Sequence, residues 1–188
     1  MTTSQITKDL ERFLRYRLTG EQAKAAMARR LRQRKRSFLR LMQRAVYANP
    51  RSPYRALLQH AGIGFHDLSQ RVARDGLEAT LGHLYDAGIY LSTEEFKGRR
   101  PIRRPGLELA ADPHDFDNPL VATHFEARTS GSKGPAIRVP IDLRRLAQEA
   151  ATVHGSLEGF GLRGSPVACW RGVPRSYPAS RSCCATRR

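Results

Sequence analysis

Two glycines, three hydroxyls and an ammonium group fall together in Thr129-Ser130-Gly131-Ser132-Lys133-Gly134. Glycine allows a tight turn and brings backbone N–H groups close to an anion. The hydroxyls of Thr129, Ser130 and Ser132 can donate to phosphate oxygens, and Lys133 adds a positive charge. The segment therefore suits a nucleoside triphosphate or a departing pyrophosphate. The same composition also suits a plain Gly/Ser turn with no ligand. It is not a Walker A loop, since Gly-Lys-Ser/Thr after four residues is missing and no helix follows directly.

A second reading of the same residues is the GxxG loop of a KH RNA-binding domain, Gly131-Ser132-Lys133-Gly134 with Ile137 beyond. That loop must join two helices, whereas apolar and polar residues alternate on both sides here, and Pro140 would interrupt the second helix. Other chemistry-bearing residues are scattered. His124 precedes the turn on a predicted strand, and its expected state is a half-exposed structural histidine. His60, His66, His83, His114 and His154 show no metal spacing. Asp112, Asp115 and Asp117 lack the glycine and terminal glutamate of a calcium loop and are read as Asx-type turns. Cys169, Cys183 and Cys184 form neither a disulfide framework nor a zinc site. No residue stands out as an acid, base or nucleophile.

Positioning the turn requires a change of period along the chain. Glu21 to Tyr47 predicts one long helix, with Met27, Leu31, Phe38, Met42 and Ala45 near one face, stopped by Asn49-Pro50. A short helix follows over Tyr54 to Ala61, ended by Gly62 and Gly64. Leu77, Leu81, Leu84 and Tyr85 predict another, with Gly88 as its stop. Ser92-Thr93-Glu94-Glu95 has capping-box spacing and predicts one turn or two. Residues 98–119 read as an extended connector. Val121, Thr123, Phe125 and Ala127 then alternate as a strand, and Ile137, Val139 and Ile141 do so after the turn. Asp142 can cap a helix carrying Leu143, Leu146, Ala147, Ala150 and Val153, closed by Gly155. Val167 to Trp170 reads as a buried strand.

The chain has 188 residues, with 33 Lys and Arg against 17 Asp and Glu, a net charge of +16. Such a balance favours anionic partners without choosing among nucleotide, nucleic acid and membrane phosphate. The excess is local. No acid occurs between Glu21 and Asp67, where Arg29, Arg30, Arg32, Arg34, Lys35, Arg36, Arg40 and Arg44 lie, and none occurs from Arg171 to Arg188. Arg29–Arg44 could hold nucleic acid or an acidic membrane weakly and without base readout. Its intermittent apolar face and few aromatics favour a solvated face on a packed helix. No apolar run is long enough for a membrane span, and the polar start lacks a signal-peptide core. A soluble protein in a reducing cytoplasm is expected.

The turn resembles the phosphate-binding signature of adenylate-forming enzymes, Thr-Ser-Gly-(Ser/Thr)-Thr-Gly followed by Lys or Arg and Pro. Flanking segments extend the resemblance from about Phe38 to Trp170. Ala48 to Arg55 is similar to the Asn-Ser-Pro-Phe-Tyr-Arg helix start of the phenylacetate–CoA ligase-like branch. Ile89 to Phe96 resembles that branch's Leu-Pro-x-x-x-Lys-x-x-Leu step. Asp142-Leu143 opens the helix expected after the hairpin, and Gly161-Leu162-Arg163 precedes the next strand. Lys133 stands where the family has Thr, and Pro135 follows Gly134 directly instead of one residue later. The aromatic-Gly-x-Thr-Glu segment, the ribose-binding Asp, the hinge and the adenylation lysine of such enzymes do not occur.

The resemblance implies a mixed α/β fold belonging to the acyl-CoA synthetase-like, AMP-dependent class. Residues 1–97 would be a helical N-terminal segment and 98–119 a connector. Residues 120–170 would start an α/β nucleotide-binding domain. The resemblance does not cover 171–188, whose Arg, Ser, Pro and Cys mixture without periodicity reads as a basic irregular tail. It also implies ATP with Mg2+ as cofactors, a small carboxylate as substrate and coenzyme A as acceptor. Thr129 to Gly134 would hold the phosphates. The chain is thus expected to be the N-terminal part of a carboxylate-activating ligase, inactive by itself. The alternative is a non-catalytic basic protein that binds nucleic acid or a membrane surface.

Overall fold

The computed structural model describes residues 3–128, 138–162 and 165–166. In chain order its elements are α1 (Thr3–Arg15), α2 (Gly20–Leu41), a π-helical turn (Met42–Tyr47), α3 (Pro53–His60), α4 (Phe65–Asp75), α5 (Leu77–Asp86) and α6 (Thr93–Phe96). Then come β1 (Ile102–Arg104), β2 (Leu107–Leu109), a 3-10 turn (Pro113–Phe116), β3 (Phe125–Arg128), β4 (Arg138–Ile141) and α7 (Leu143–Gly159). The described residues thus form a helix-rich, mixed α/β arrangement with two small antiparallel sheets, β1–β2 and β3–β4. The chain divides into two compact units, Gln33–Leu120 and a second made of Met1–Arg32 with Val121–Arg188.

Within Gln33–Leu120 the core is aliphatic: Met42, Leu57, Leu58, Leu68, Leu84 and Ile102 are buried together. The π turn inserts one residue into the helical ladder, so the Ala48 N–H reaches the Gln43 carbonyl at 2.9 Å. Met42, Ala45 and Val46 all become buried there. Pro53 starts α3 where its missing N–H costs no hydrogen bond. Gly62 ends α3 at φ +67°, and the Ile63 N–H returns to the Leu58 carbonyl at 2.9 Å. Gly64 does not belong to that stop. It caps α4 instead, its N–H held by the Asp67 carboxylate at 3.1 Å. Tyr47 packs edge-on against Phe65 and donates to the Ile63 carbonyl, and burial pushes its phenol up to about 12.

Ser92 and Glu95 close the expected capping box, Ser92 Oγ accepting from the Glu95 N–H at 3.2 Å and Glu95 from the Ser92 N–H at 2.7 Å. Residues 98–119, however, are not a plain connector. β1 and β2 pair as a hairpin in the register Ile102↔Leu109 and Arg104↔Leu107, leaving Pro105-Gly106 as the turn. Gly106 sits at φ +75°, and proline pre-sets the position before it. Burial of Ile102 in the aliphatic core makes this segment a strand despite its many turn formers. Only Asp112 forms the expected Asx-type turn, accepting from the His114 N–H at 2.7 Å. Asp115 instead completes a capping box, accepting from the Asp112 N–H at 3.2 Å, and pairs with Arg51 at 2.7 Å. Asp117 lies 3.8 Å from His114 Nδ1.

In the second unit, α7 begins where Asp142 caps it, its carboxylate accepting from the Arg144 N–H at 2.8 Å. The helix does not close at Gly155 but continues to Gly159, with Gly161 at φ +68° following. Gly155 is a packing position: a Cβ there would lie 2.3 Å from Met27 Sδ, so its bareness lets α7 approach the first half of α2. Lys24 and Glu158 form an ion pair at 3.0 Å between the same two helices. Leu31, expected on the apolar face of α2, is 65% exposed, because residues 31–37 are exposed all round. No described helix is long and apolar enough to cross a membrane.

Candidate functional site

The phosphate-binding candidates Thr129, Ser130, Gly131, Ser132, Lys133 and Gly134 all lie outside the described residues, as do Pro135 and Ile137. What is described is the frame that carries them. β3 and β4 are antiparallel in the register Phe125↔Ile141, Glu126↔Pro140, Ala127↔Val139 and Arg128↔Arg138. Along β3 the expected alternation holds, with Ala127 buried and Glu126 and Arg128 exposed. Opposite residues on paired antiparallel strands share a face. Val139 therefore shares the face of Ala127, yet it stays 36% exposed. Arg138 donates to Glu126 Oε1 at 2.8 Å, a diagonal cross-strand ion pair. A strand lies on each side of the turn, and helix begins only at Leu143. The two helices that a KH loop must join are therefore not there.

β3 is shorter than the expected strand, starting at Phe125 and not at Val121. Before it the chain makes isolated bonds, one to a side chain and one to a carbonyl, instead of a continued ladder. The Ala122 N–H donates to Asp142 Oδ2 at 3.3 Å, and the His124 N–H donates to the Ile141 carbonyl at 2.9 Å. A residue whose N–H serves a helix-capping carboxylate cannot also serve a ladder.

His124 departs most from expectation. It is not half-exposed: its side chain has 0% exposure. The Leu143 N–H donates to its Nδ1 at 3.3 Å, which makes Nδ1 an acceptor and places the ring proton on Nε2. Nε2 then donates to Asp9 Oδ2 at 3.2 Å. Asp142 Oδ1 lies 3.6 Å from Nδ1. The histidine thus ties α1, the entry to β3 and the start of α7 together, with every ring nitrogen occupied. Asp9 also accepts from Gln5 at 3.0 Å, and that bond, followed by the one from His124, lowers its pKa below the ordinary carboxylate value. Spacing along the chain could not pair His124 with Asp9, because they are 115 residues apart. The fully satisfied, buried state fits a structural clasp and leaves His124 no free nitrogen for a substrate.

A concave site lies beside this clasp, between one face each of α1, α2 and α7, with a volume of about 260 Å³. Arg12, Arg29, Arg30 and Arg144 stand around it, and Phe13, Ala26 and Ala147 contribute apolar surface. Arg29 and Arg30 belong to the basic stretch of α2. Further along that stretch Arg34 pairs with Glu78 at 2.7 Å, while Arg32, Lys35, Arg36, Arg40 and Arg44 are exposed. Among the described residues no group of three His, Cys, Asp or Glu side chains could hold a metal ion. Cys169, Cys183 and Cys184, the strand expected at 167–170 and the tail 171–188 lie outside the described residues. Compared with protein-family models, with curated proteins and with solved structures, the chain finds no match.

Proposed function

We propose that the chain supplies the phosphate-binding turn of an ATP-dependent, acyl-adenylate-forming ligase. In that reaction a carboxylate oxygen attacks the α-phosphorus of ATP and pyrophosphate leaves. A coenzyme A thiolate then takes the acyl group and releases AMP. The observation that carries the reading is the local frame of the turn: an antiparallel strand pair, Arg128 facing Arg138 at its open end, then a helix capped by Asp142. The signature segment it resembles sits in the same strand–turn–strand–helix order. Thr129, Ser130, Ser132 and Lys133 would contact the phosphates, and Gly131 and Gly134 would let the backbone approach them. Magnesium, held chiefly by the phosphates themselves, would neutralise their charge.

The test is MgATP binding by the whole chain, measured calorimetrically. Lys133→Ala and Gly131→Val should each weaken it about tenfold or more, since both charge and close backbone approach are needed. Pyrophosphate release should stay at background with a panel of carboxylates, because the chain contains neither the ribose-binding Asp nor the adenylation lysine. Binding indifferent to both substitutions would remove the proposal.

The exposure of Arg32, Lys35, Arg36 and Arg40 favours a second reading, a basic nucleic-acid- or membrane-binding protein. Such binding would follow counterion release, falling steeply with salt and ignoring sequence. Labelled oligonucleotides titrated at two salt concentrations separate the readings. Tight binding at physiological salt would put the second first.

A further inference from the structure

We propose that the site among α1, α2 and α7 binds a small amphipathic anion, a carboxylate or phosphate head on one ring or short chain. Four guanidinium groups, from Arg12, Arg29, Arg30 and Arg144, stand around a space that contains a single carboxylate, Asp9. Asp9 cannot neutralise them. Its Oδ2 already accepts from Gln5 and His124, while Arg12 reaches Oδ1 at 3.3 Å and Arg144 stands 4.0 Å from it. Arg30 spends one N–H on the Gln148 carbonyl at 2.9 Å, which orients its guanidinium without cancelling its charge. The Arg29 guanidinium forms no ion pair or hydrogen bond among the described residues. Like charges gathered around one small space repel, and an anion placed among them relieves that repulsion.

The floor determines the rest of the ligand. Phe13, Ala26 and Ala147 line it together with the buried Leu143 and Ala151. Bare phosphate would leave this apolar surface against water, and a neutral ring would leave the arginines unmatched. Each half of the site asks for one half of an amphipathic molecule. At about 260 Å³ the space falls just below the usual range of roughly 300–1,000 Å³ for drug-sized ligands. A single ring or short acyl chain fits it, and a lipid with two chains does not. All the described lining comes from residues 9–30 and 143–151, and the proposal sets this site apart from the nucleotide turn.

The experiment uses the full chain and four probes: phenyl phosphate, benzoate, inorganic phosphate and benzamide. At least one of phenyl phosphate and benzoate should bind about tenfold more tightly than both inorganic phosphate and benzamide. The tighter of the two identifies the head group. Arg29→Gln with Arg144→Gln should weaken that probe about tenfold or more, and Ala147→Phe, which fills the floor, should do the same. Lys133→Ala should leave it unchanged, which separates this site from the nucleotide turn. Circular dichroism checks that the variants keep their helices. Arg29→Gln alone, at an exposed position without a partner, serves as the mildest variant and should still weaken binding measurably. Equal affinity for all four probes would overturn the proposal, and so would binding indifferent to the α2 and α7 substitutions or abolished by Lys133→Ala.

Discussion

The two compact units are stabilised by different chemistry. In Gln33–Leu120 the interior is aliphatic, and the elements that contribute to it follow one another closely along the chain. In the other unit a histidine and two aspartates are buried: Asp9, His124 and Asp142. Apolar burial is non-directional and tolerates many near-equivalent arrangements. A buried imidazole between a carboxylate and a backbone N–H tolerates few, because each unmade bond leaves a desolvated polar atom. One unit gains stability mainly from area removed from water. The other uses directed bonds to join α1 to the start of α7 across most of the chain.

The largest expected effect tests the aliphatic side. Leu58 is fully buried at 0% exposure, so Leu58→Ala should cost about 2–5 kcal/mol through lost transfer energy and the cavity left behind. Urea denaturation followed by circular dichroism measures it. A loss below 1 kcal/mol would mean that this core collapses around the gap and is not closely packed.

The same unit also contains a buried ion pair, and it sharpens the contrast. Arg104 pairs with Glu95 at 2.8 Å, donates to the Gly88 carbonyl at 2.7 Å and to the Tyr90 carbonyl, and lies 4.3 Å from the Tyr90 ring centroid. Burial alone would raise the Glu95 pKa, but hydrogen bonds from Arg104 and from Ser92 outweigh it and bring the pKa down to about 2 from 4.5. A depressed carboxylate stabilises the fold above its unfolded pKa, and that contribution is lost as pH falls through 4.5 towards about 2. Glu95→Gln should therefore cost about 1.5–3 kcal/mol at pH 7. The gap between wild type and variant should close on acidification. A gap that persists at pH 2 would show that the loss comes from altered packing and not from charge.

On the directed-bond side, His124→Leu replaces the imidazole with a side chain that cannot hydrogen-bond. It leaves the Leu143 N–H without its acceptor, at a cost of about 1–3 kcal/mol. Amide exchange should rise over residues 3–15 and at the start of α7. Unchanged protection there would make the clasp incidental. The smallest effect comes from Gly155→Ala. The new Cβ meets the mobile end of Met27, so the change should be within about 1 kcal/mol of neutral, steric crowding set against the better helix former. In a Met27→Ala background the same substitution should become stabilising, by up to about 1 kcal/mol. A substitution no more favourable in that background than in the wild type would show that the glycine is needed for another reason.

Local signals were legible where the chain supplies its own partner. Pro53, Gly62, the Ser92–Glu95 box and the Asp142 cap each work within a few residues, and each is found in place. α4 was missed although Leu68 and Val72 have helical spacing, because its cap is a glycine whose N–H bonds to Asp67, and glycine also signals an ending. The strands β1 and β2 were missed because turn formers dominate residues 98–119, and only burial of Ile102 in the core overrides them. The candidate turn was legible as composition, and the structure adds its antiparallel frame.

Sequence by itself determined the positions of most helices, the strand on each side of the candidate turn and the clustering of positive charge, because these depend on neighbours along the chain. Tertiary structure alone decided which distant groups meet. It placed His124 against Asp9, set Gly155 into α7 as a contact and not a stop, and gathered Arg12, Arg29, Arg30 and Arg144 around one apolar floor. The physical reason is range. Capping and periodicity act over one or two helical turns, whereas desolvation, close packing and the field of several charges depend on distances in space that chain order does not encode.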